Sequence, residues 1–357
     1  TNGSSGNATI KDKAGALQLA ASSVGGALIA TATTGDITQS GALDIEGATT
    51  LVTSGVGADI VLTTDTNAFT SQLLITTNET SSDIDADVSI DGGTTNLIIG
   101  TSTIDGDLSL RSGGTITDTN GSTVTVKRNL SATTDASDRA ITLNDLAVDG
   151  AFTLAPDGTG AVIIVNAAGL KLAASTMGGT FSGTATTGDI SDSGNLAITG
   201  AATFITTEAE QDIILDQSGS VFTSTVTMQA GNGSNAAFNK ITFVDSAAVR
   251  LHSSAASAGD LYINASTDLA VGGSLSITAT TGNITQGSEL AVGAASTFTT
   301  SDADATITLN DEANTFTAAV SLNTTRASGN ATIVNAADFN LAASTVVAVL
   351  SSTATTG

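Results

Sequence analysis

The sequence has no cysteine, no tryptophan and a single proline, and only 3% of its 357 residues are aromatic. The absence of cysteine excludes a disulfide framework and thiol chemistry, although it is compatible with export. Hydrophobic residues still make up 40% of the chain, and the mean hydropathy is +0.25. A chain of this composition is not disordered, because it has enough apolar surface to bury. Small and β-branched side chains therefore form most of the interior.

Basic residues are also scarce: 10 Lys and Arg stand against 34 Asp and Glu, and the formal net charge is −24. Nucleic-acid affinity depends on positive charge, and an anionic membrane surface would repel this chain. No stretch of the sequence reaches the roughly 18 apolar residues that a membrane span needs. We therefore expect no nucleic-acid partner and no insertion into a membrane.

Internal repeats are the main feature that the sequence does contain. The string Ala-Thr-Thr-Gly recurs with its glycines at Gly35, Gly188, Gly282 and Gly357, at separations of 153, 94 and 75 residues. These separations share a divisor near 19. The sequence therefore predicts a repeat unit of about 19 residues, with whole units inserted between copies.

The same spacing appears inside each copy as columns of apolar residues. These columns are Val24, Leu43 and Leu62; Met177, Leu196 and Leu215; and Val271, Leu290 and Leu309. Apolar and polar residues alternate locally, which predicts strands rather than helices. The pairs Gly35-Asp36, Gly188-Asp189 and Gly282-Asn283 are expected to supply positive-φ corners. The pattern predicts an all-β, right-handed parallel β-helix (β-solenoid) of about 19 coils, with three short strands per coil.

A phenylalanine signature supports this fold, since Phe69, Phe222 and Phe316 recur at the same offsets from the apolar columns. The predicted core comprises Leu43, Leu62, Phe69, Leu196, Leu215, Phe222, Leu290, Leu309 and Phe316. We expect a single solenoid over residues 1–357. Its regular cassettes are expected at 1–77, 160–230 and 261–357, and irregular coils or insertions at 78–159 and 231–260.

Several motifs resemble the repeats of large filamentous-haemagglutinin-like exoproteins. They run from Gly329 to Ile333, from Leu341 to Thr345 and from Gly194 to Phe204. The resemblance implies 19-residue β-helix repeats in a long fibre with an adhesive or matrix-building role, on the surface of a bacterium or outside it. The partners it implies are further copies of the chain, bound end to end or laterally, and cell-surface or glycan receptors. Because residues 6–35 reappear as 329–357, we expect a window on a longer repetitive chain or a processed subunit.

Acidic residues recur at period two, at Asp83, Asp85 and Asp87, at Glu208, Glu210 and Asp212, and at Asp302 and Asp304. On a strand this spacing would place several carboxylates on one face, where hard oxygen ligands could hold Ca²⁺. The alternative is a solvated outer face, which the pattern favours. The glycine-rich calcium repeat is absent. We therefore predict no cofactor, with calcium as the one metal candidate.

Catalysis is not predicted. Basic residues are few and scattered, and the only histidine, His252, has no triad partner nearby in the sequence. A carbohydrate-binding or carbohydrate-cleaving β-helix is the first alternative, although aromatic residues for sugar stacking are scarce. A passive spacer in a giant surface protein is the second. Thr-x-Thr patterns such as Thr184/Thr186 and Thr278/Thr280 could add a hydroxyl array, interrupted because they occur about once per cassette.

Overall fold

The computed structural model describes residues 5–78, 85–231, 240–246, 249–252, 260–263, 270–271, 273–287, 289–326 and 328–355. Only the backbone is described at 249–252, 260–263 and 270–271. Every regular element of the described residues is a β-strand, which confirms the predicted all-β class. The chain forms two compact units, residues 1–168 with 176–179, and residues 169–175 with 180–357.

The strands of unit 1 are short, and most have three to five residues. They are β1 (Ala8–Asp12), β2 (Leu17–Leu19), β3 (Ser22–Val24), β4 (Leu28–Ala32), β5 (Ile37–Gln39), β6 (Leu43–Ile45), β7 (Thr49–Thr53), β8 (Ile60–Leu62), β9 (Ala68–Phe69), β10 (Leu73–Thr76), β11 (Val88–Asp91), β12 (Leu97–Ile99), β13 (Ser102–Ile104), β14 (Leu108–Ser112), β15 (Ile116–Asp118), β16 (Val124–Val126), β17 (Leu130–Thr134), β18 (Ile141–Val148), β19 (Ala151–Ala155) and β20 (Val162–Asn166). The division between the units falls within β22 (Ser175–Met177).

The strands of unit 2 have the same character. They are β21 (Leu170–Leu172), β23 (Phe181–Ala185), β24 (Ile190–Asp192), β25 (Leu196–Ile198), β26 (Ala202–Thr206), β27 (Ile213–Leu215), β28 (Val221–Phe222), β29 (Val226–Gln229), β30 (Ile241–Asp245), β31 (Val249–His252), β32 (Asp260–Ile263), β33 (Ala270–Val271), β34 (Leu275–Ala279), β35 (Ile284–Gln286), β36 (Ala291–Val292), β37 (Ser296–Thr300), β38 (Ile307–Leu309), β39 (Thr315–Phe316), β40 (Ala319–Thr324), β41 (Ala331–Asn335), β42 (Asn340–Leu341), β43 (Thr345–Val346) and β44 (Leu350–Ala354).

Strands of successive coils pair in parallel, in two long sheets and three short sheets of three strands each. In unit 1 the first sheet begins β1–β4–β7–β10, the second runs β2–β5–β8–β11–β14–β17–β19, and the third is β3–β6–β9. In unit 2 one sheet runs β21–β24–β27–β30–β34–β37–β40 and another includes β31–β35–β38–β41–β44. The fold is therefore the predicted parallel β-solenoid with three strands per coil.

The predicted coil count is wrong. Over the described residues there are about 14 coils instead of 19. Coils are longer than 19 residues because their corners differ in length: Ala8 pairs with Leu28, 20 positions on, whereas Ile60 pairs with Val88, 28 positions on. Strands stay short and regular, so the extra residues lie in the corners.

The 19-residue columns arose from the period-two alternation within strands. Val24 pairs with Ile45, 21 positions on, and not with Leu43. Leu43 and Ile45 are two positions apart on β6, so both face the interior, and spacings of 19 and 21 both connect buried residues. Leu62 lies in another sheet, where it pairs with Ile90.

The predicted core residues are all buried, none more than 3% exposed: Leu43, Leu62, Phe69, Leu196, Leu215, Phe222, Leu290, Leu309 and Phe316. The phenylalanines stack on aliphatic residues of the preceding coil, as Phe69 does on Ile45 in the third sheet. In unit 2, Phe222 also lies 6.3 Å from Phe204 and 5.1 Å from Phe243, measured between ring centroids. Stacked apolar side chains thus fill the interior of each unit.

The segments marked as irregular in the sequence differ in how much is described. Residues 85–159 form stacked coils, with a register shift between Leu143 and Leu146 where the long strand β18 pairs with β20. Most of 231–260 lies outside the described residues. Two of the three predicted positive-φ corners are wrong: Gly282 has a φ of +80°, but neither Gly35 nor Gly188 has a positive φ. Glycine is required at position 35 because an added Cβ would lie 2.9 Å from the backbone nitrogen of Ala16.

The Ala-Thr-Thr-Gly motif changes sheets within unit 2. Ile190, which follows one copy, lies in the sheet β21–β24–β27–β30. Ile284, which follows the next copy, lies in the sheet β31–β35–β38–β41–β44. The sheet of Ile190 continues instead through β34, which precedes the second copy of the motif. Equivalent sequence segments therefore occupy different faces of the solenoid.

Candidate functional site: the acidic corner columns

A column of Asp and Asn side chains follows one corner of the coils in unit 1. Its members each directly precede a strand of the second sheet: Asp36, Asp59, Asp87, Asp107 and Asn129. The Oδ1 atom of each accepts the backbone N–H of the next member, at 2.9, 2.8, 2.7 and 2.8 Å in chain order. Short Asp and Asn side chains suit this role because they reach backbone groups at turns without displacing the strands.

Unit 2 repeats this arrangement. Asp189 Oδ1 accepts the N–H of Asp212 at 2.8 Å, and Asp212 Oδ1 accepts the N–H of Lys240 at 2.7 Å. Further along the unit, Asn283 Oδ1 accepts the N–H of Thr306 at 2.7 Å. The residue after glycine in each repeat motif therefore links its coil to the next coil.

Stacking carboxylates one coil apart has an electrostatic effect. Burial raises the pKa of Asp59, and the neighbouring carboxylates of Asp87 and Asp36 raise it further, against a lowering by the bond from the Asp87 N–H. Burial likewise raises the pKa of Asp212, and the charge of Asp189 adds to this effect. The columns are thus lines of like charge, and hydrogen bonds to the next coil only partly offset their repulsion.

The structure does not assemble the predicted calcium ligands. Asp83 lies outside the described residues. Asp85 pairs with Arg128, whose Nε and Nη2 atoms lie 3.1 and 3.0 Å from its Oδ1, and Asp87 belongs to the corner column. Within the described ranges, no group of three or more His, Asp or Glu side chains is placed to hold a metal ion.

The expectation that these acidic residues share one face of a strand is wrong. Glu208 and Glu210 lie in a turn between β26 and β27, and Asp212 is the corner residue that follows. Asp304 lies in the equivalent turn between β37 and β38. Glu210 and Asp304 have φ values of +63° and +61°, so the period-two pattern reflects a left-handed turn and not a strand.

These turns are a recurring corner built on a buried threonine. Positive φ values occur at Gly57, Asp138, Glu210, Asp304 and Ser328. Each lies four positions after a buried threonine at the end of a strand: Thr53, Thr134, Thr206, Thr300 and Thr324. Thr53 Oγ1 donates to the carbonyl of Ala58, and Thr324 Oγ1 to that of Gly329, each at 2.9 Å. In the sequence, a threonine followed by a five-residue turn marks this corner. The assumed period of 19 residues concealed this pattern.

At two places a buried asparagine bonds to a partly buried glutamine of another coil, and sequence reasoning missed both pairs. In unit 1, Asn67 Nδ2 donates to Gln39 Oε1 at 3.0 Å, while Asn67 Oδ1 accepts the N–H of Leu43 at 2.9 Å. In unit 2, Asn314 Nδ2 donates to Gln286 Oε1 at 3.1 Å. Asn67 and Asn314 are 2% and 0% exposed, so these bonds satisfy polar groups that water cannot reach.

The outward threonines form longer rows than the sequence indicated. In unit 2, Thr278 pairs with Thr299, which pairs with Asn323 of the next coil. Two positions earlier, Ser276 pairs with Thr297. Polar side chains therefore follow one another from coil to coil on this face. A fixed 19-residue spacing did not reveal these rows, because the coils differ in length.

Three basic side chains of unit 1, those of Arg111, Lys127 and Arg128, form ion pairs with carboxylates, and Arg111 also lies 3.8 Å from a second one, Asp91. Arg111 Nε lies 2.8 Å from Asp135 Oδ2, and Lys127 Nζ lies 4.0 Å from Asp149 Oδ2. His252 lies in β31, and its side chain is outside the described part of the structure. These surface pairs contribute little to stability, and none places a base beside a nucleophile.

Three short parallel strands per coil, a stacked apolar interior and repeated corner columns define a β-solenoid repeat protein. The chain belongs to the family described as "Repeats of unknown function (DUF5649)", whose model matches residues 5–76, 85–156, 159–229 and 246–323. The first match contains strands β1 to β10. No curated protein and no solved structure matches the chain. Among the described residues there is no helix long and apolar enough to cross a membrane.

Proposed function

We propose that the chain is a non-catalytic structural segment of an extracellular fibre or adhesin, of the filamentous-haemagglutinin-like kind that its motifs resemble. The observation that carries this proposal is that each coil joins the next through the same elements, parallel strands and a corner hydrogen bond. Such a unit can be extended by adding copies without changing its cross-section. A protein of this design supplies length and a long patterned surface.

An extracellular location at a bacterial surface agrees with the composition. The chain lacks cysteine, so no disulfide needs to form or be avoided during export. Its net charge of −24 and its outward polar rows favour solubility over association with nucleic acid or anionic lipid. Glycan or cell-surface receptors are the partners that such rows would contact.

Assembly with further copies is the second part of the proposal. β44 pairs with β41 in parallel with a one-to-one register, the same way in which β1 pairs with β4. Around it, Val347 and Val349 are 50% and 63% exposed. A strand edge flanked by exposed apolar side chains is a template for another strand of the same kind. We propose that the β1 edge of a second copy covers it.

The test is self-association of the purified chain, measured by light scattering and viewed by electron microscopy. In a parallel ladder, the N–H groups of successive residues point to opposite edges of the strand. Thr355 donates its N–H to the Asn335 carbonyl of β41, so the N–H groups of Ser351 and Thr353 also point to β41. The Ser352 N–H therefore points to the opposite edge of β44. Ser352→Pro removes that donor and leaves the ladder to β41 in place. Ser352→Ala is the matched control, because it keeps the backbone N–H.

Fibres or end-joined rods from the parent chain and from Ser352→Ala, and shorter particles from Ser352→Pro, would support the proposal. A chain that stays monomeric at high concentration would contradict end-to-end assembly. Cleavage of a polysaccharide by the purified chain would contradict the non-catalytic role.

A further inference from the structure

One partly buried position differs in chemistry between otherwise equivalent coils. The third residue of a short strand is Gln39 in β5, Asp192 in β24 and Gln286 in β35. Twenty-eight positions later stand Asn67, Ser220 and Asn314, respectively. Two coils therefore carry a Gln–Asn pair, and the third carries Asp192 with Ser220.

In the Gln–Asn coils the asparagine carboxamide is surrounded by acceptors. Besides Gln286 Oε1, Asn314 Nδ2 faces the carbonyl oxygen of Val334 at 3.0 Å and that of Leu309 at 3.5 Å. Its Oδ1 accepts the N–H of Leu290 at 2.8 Å. The NH₂ group thus supplies the hydrogen-bond donors for three oxygen atoms in the interior.

In the Asp192 coil the acceptors remain but this donor group is gone. Ser220 is fully buried, and its Oγ accepts the N–H of Leu196 at 3.0 Å, which replaces the acceptor role of asparagine. The carbonyl groups of Leu215 and Val244 occupy the positions of Leu309 and Val334. Asp192 Oδ1 accepts the N–H of Asp216 at 3.0 Å, but its Oδ2 is buried without a hydrogen-bond partner in the protein.

We propose that Asp192 Oδ2, Ser220 Oγ and the carbonyl oxygens of Leu215 and Val244 bind one small monovalent metal cation, Na⁺ or K⁺, in the place of the asparagine NH₂ group. Asp192 is half-buried, and its Oδ2 is shielded from water without a donor of its own. A charged oxygen in such a place is disfavoured unless a positive charge compensates it. Hard alkali cations take carboxylate, hydroxyl and carbonyl oxygens. Among these four ligands only Asp192 is a carboxylate, which matches one positive charge, whereas Ca²⁺ sites usually collect several.

The titration of Asp192 agrees with this account. Burial raises the pKa of its carboxyl, against lowering by hydrogen bonds from the N–H groups of Asp216 and Gln217. A proton therefore competes with the metal cation for the same oxygen. A bound proton and a bound metal cation can be distinguished, because the first makes stability depend on pH and the second makes it depend on which salt is present.

The test uses the whole chain in NaCl, KCl and choline chloride at equal ionic strength and neutral pH. We expect either metal salt to raise the unfolding temperature over choline chloride by about 2 °C, and ²³Na resonances to broaden in the presence of the protein. The double variant Asp192→Gln with Ser220→Asn recreates the pair that folds in the other two coils, so it should fold and lose both effects. Asp216→Asn removes a nearby exposed carboxylate and should keep both.

Equal responses of the parent chain and the double variant would overturn the proposal. It would also be overturned by a parent chain that gains stability on acidification yet responds identically to the metal salts and choline, because a proton would then be the occupant. The test does not depend on fibre formation.

Discussion

Replacing Asp59 with asparagine tests whether the corner column stores like-charge repulsion. Asparagine keeps the Oδ1 that accepts the Asp87 N–H at 2.8 Å, and Asn129 shows that the column tolerates this residue, since its Oδ1 accepts the Ala151 N–H at 2.9 Å. The substitution therefore removes one charge and leaves the hydrogen bond between coils. Any gain in stability reports the repulsion.

The expected gain follows from the stacking distance. Strands of successive coils lie about 4.8 Å apart, and two unit charges at that separation in water repel by about 0.9 kcal/mol. Physiological salt cuts this to roughly half. Asp59 has an acidic neighbour on each side, Asp36 and Asp87, so Asp59→Asn should raise the free energy of unfolding by about 1 kcal/mol at neutral pH. Urea unfolding at low and high salt measures this gain, which should shrink with added salt.

The pH dependence gives a second readout. The pKa of Asp59 is higher in the folded protein than in the unfolded chain, chiefly through burial. Folding therefore favours the protonated form, and the parent chain should gain stability as the pH falls through that pKa. Asp59→Asn lacks this component, so its advantage should be present at neutral pH and disappear in acid.

Two controls complete the design. Asp44→Asn removes an exposed carboxylate outside the column and should change stability little. Asp59→Ala leaves the Asp87 N–H without its acceptor and should lower stability by about 1 to 3 kcal/mol. The reasoning is refuted if Asp59→Asn is no more stable than the parent at low salt, or if its gain persists unchanged in acid.

Three further substitutions test the corner, the core and the buried amides, each by the midpoint of urea unfolding. Glu210→Gly should stabilise by up to about 1 kcal/mol, because Gly57 already holds the equivalent positive-φ position and relief of left-handed strain exceeds the added chain entropy; a loss of stability would contradict this. Phe204→Ala should cost about 3 to 5 kcal/mol through the cavity it leaves, and a loss below 1 kcal/mol would mean that the neighbouring rings collapse into the space. Asn314→Asp should cost about 1 to 3 kcal/mol at neutral pH and less in acid, when a protonated carboxyl can donate again; a loss that does not depend on pH would argue against the donor role.

The sequence was sufficient to predict the fold class and the inward-facing residues. Alternation of apolar and polar residues marks which side chains face inward, and Leu43, Leu62 and Phe69 are indeed buried. It was insufficient for the register, because alternation cannot distinguish neighbours two positions apart. The sequence spacing therefore predicted that Val24 stacks on Leu43, whereas in the structure Val24 pairs with Ile45 of the next coil.

The acidic residues failed as a predicted strand face for a related reason. Glu210 and Asp304 each lie in the turn that follows a buried threonine at the end of a strand. Their two-residue spacing from the neighbouring acidic residues reflects the fixed length of this turn and not a strand. The buried amide of Asn314 gave no local signal, since its partner Gln286 is 28 positions away in the sequence. Long-range polar pairs of this kind depend on the coil length, which the corners vary.

The exchange of faces in unit 2 limits how its copies can be recognised. Thr184 of one copy lies on β23, whereas the equivalent Thr278 lies on β34, in a different sheet. A rigid, flat ligand that contacts one of these threonines cannot reach the other from the same direction. The valency of unit 2 toward such a ligand is therefore lower than its number of sequence copies, and avidity would require ligands that approach from more than one side.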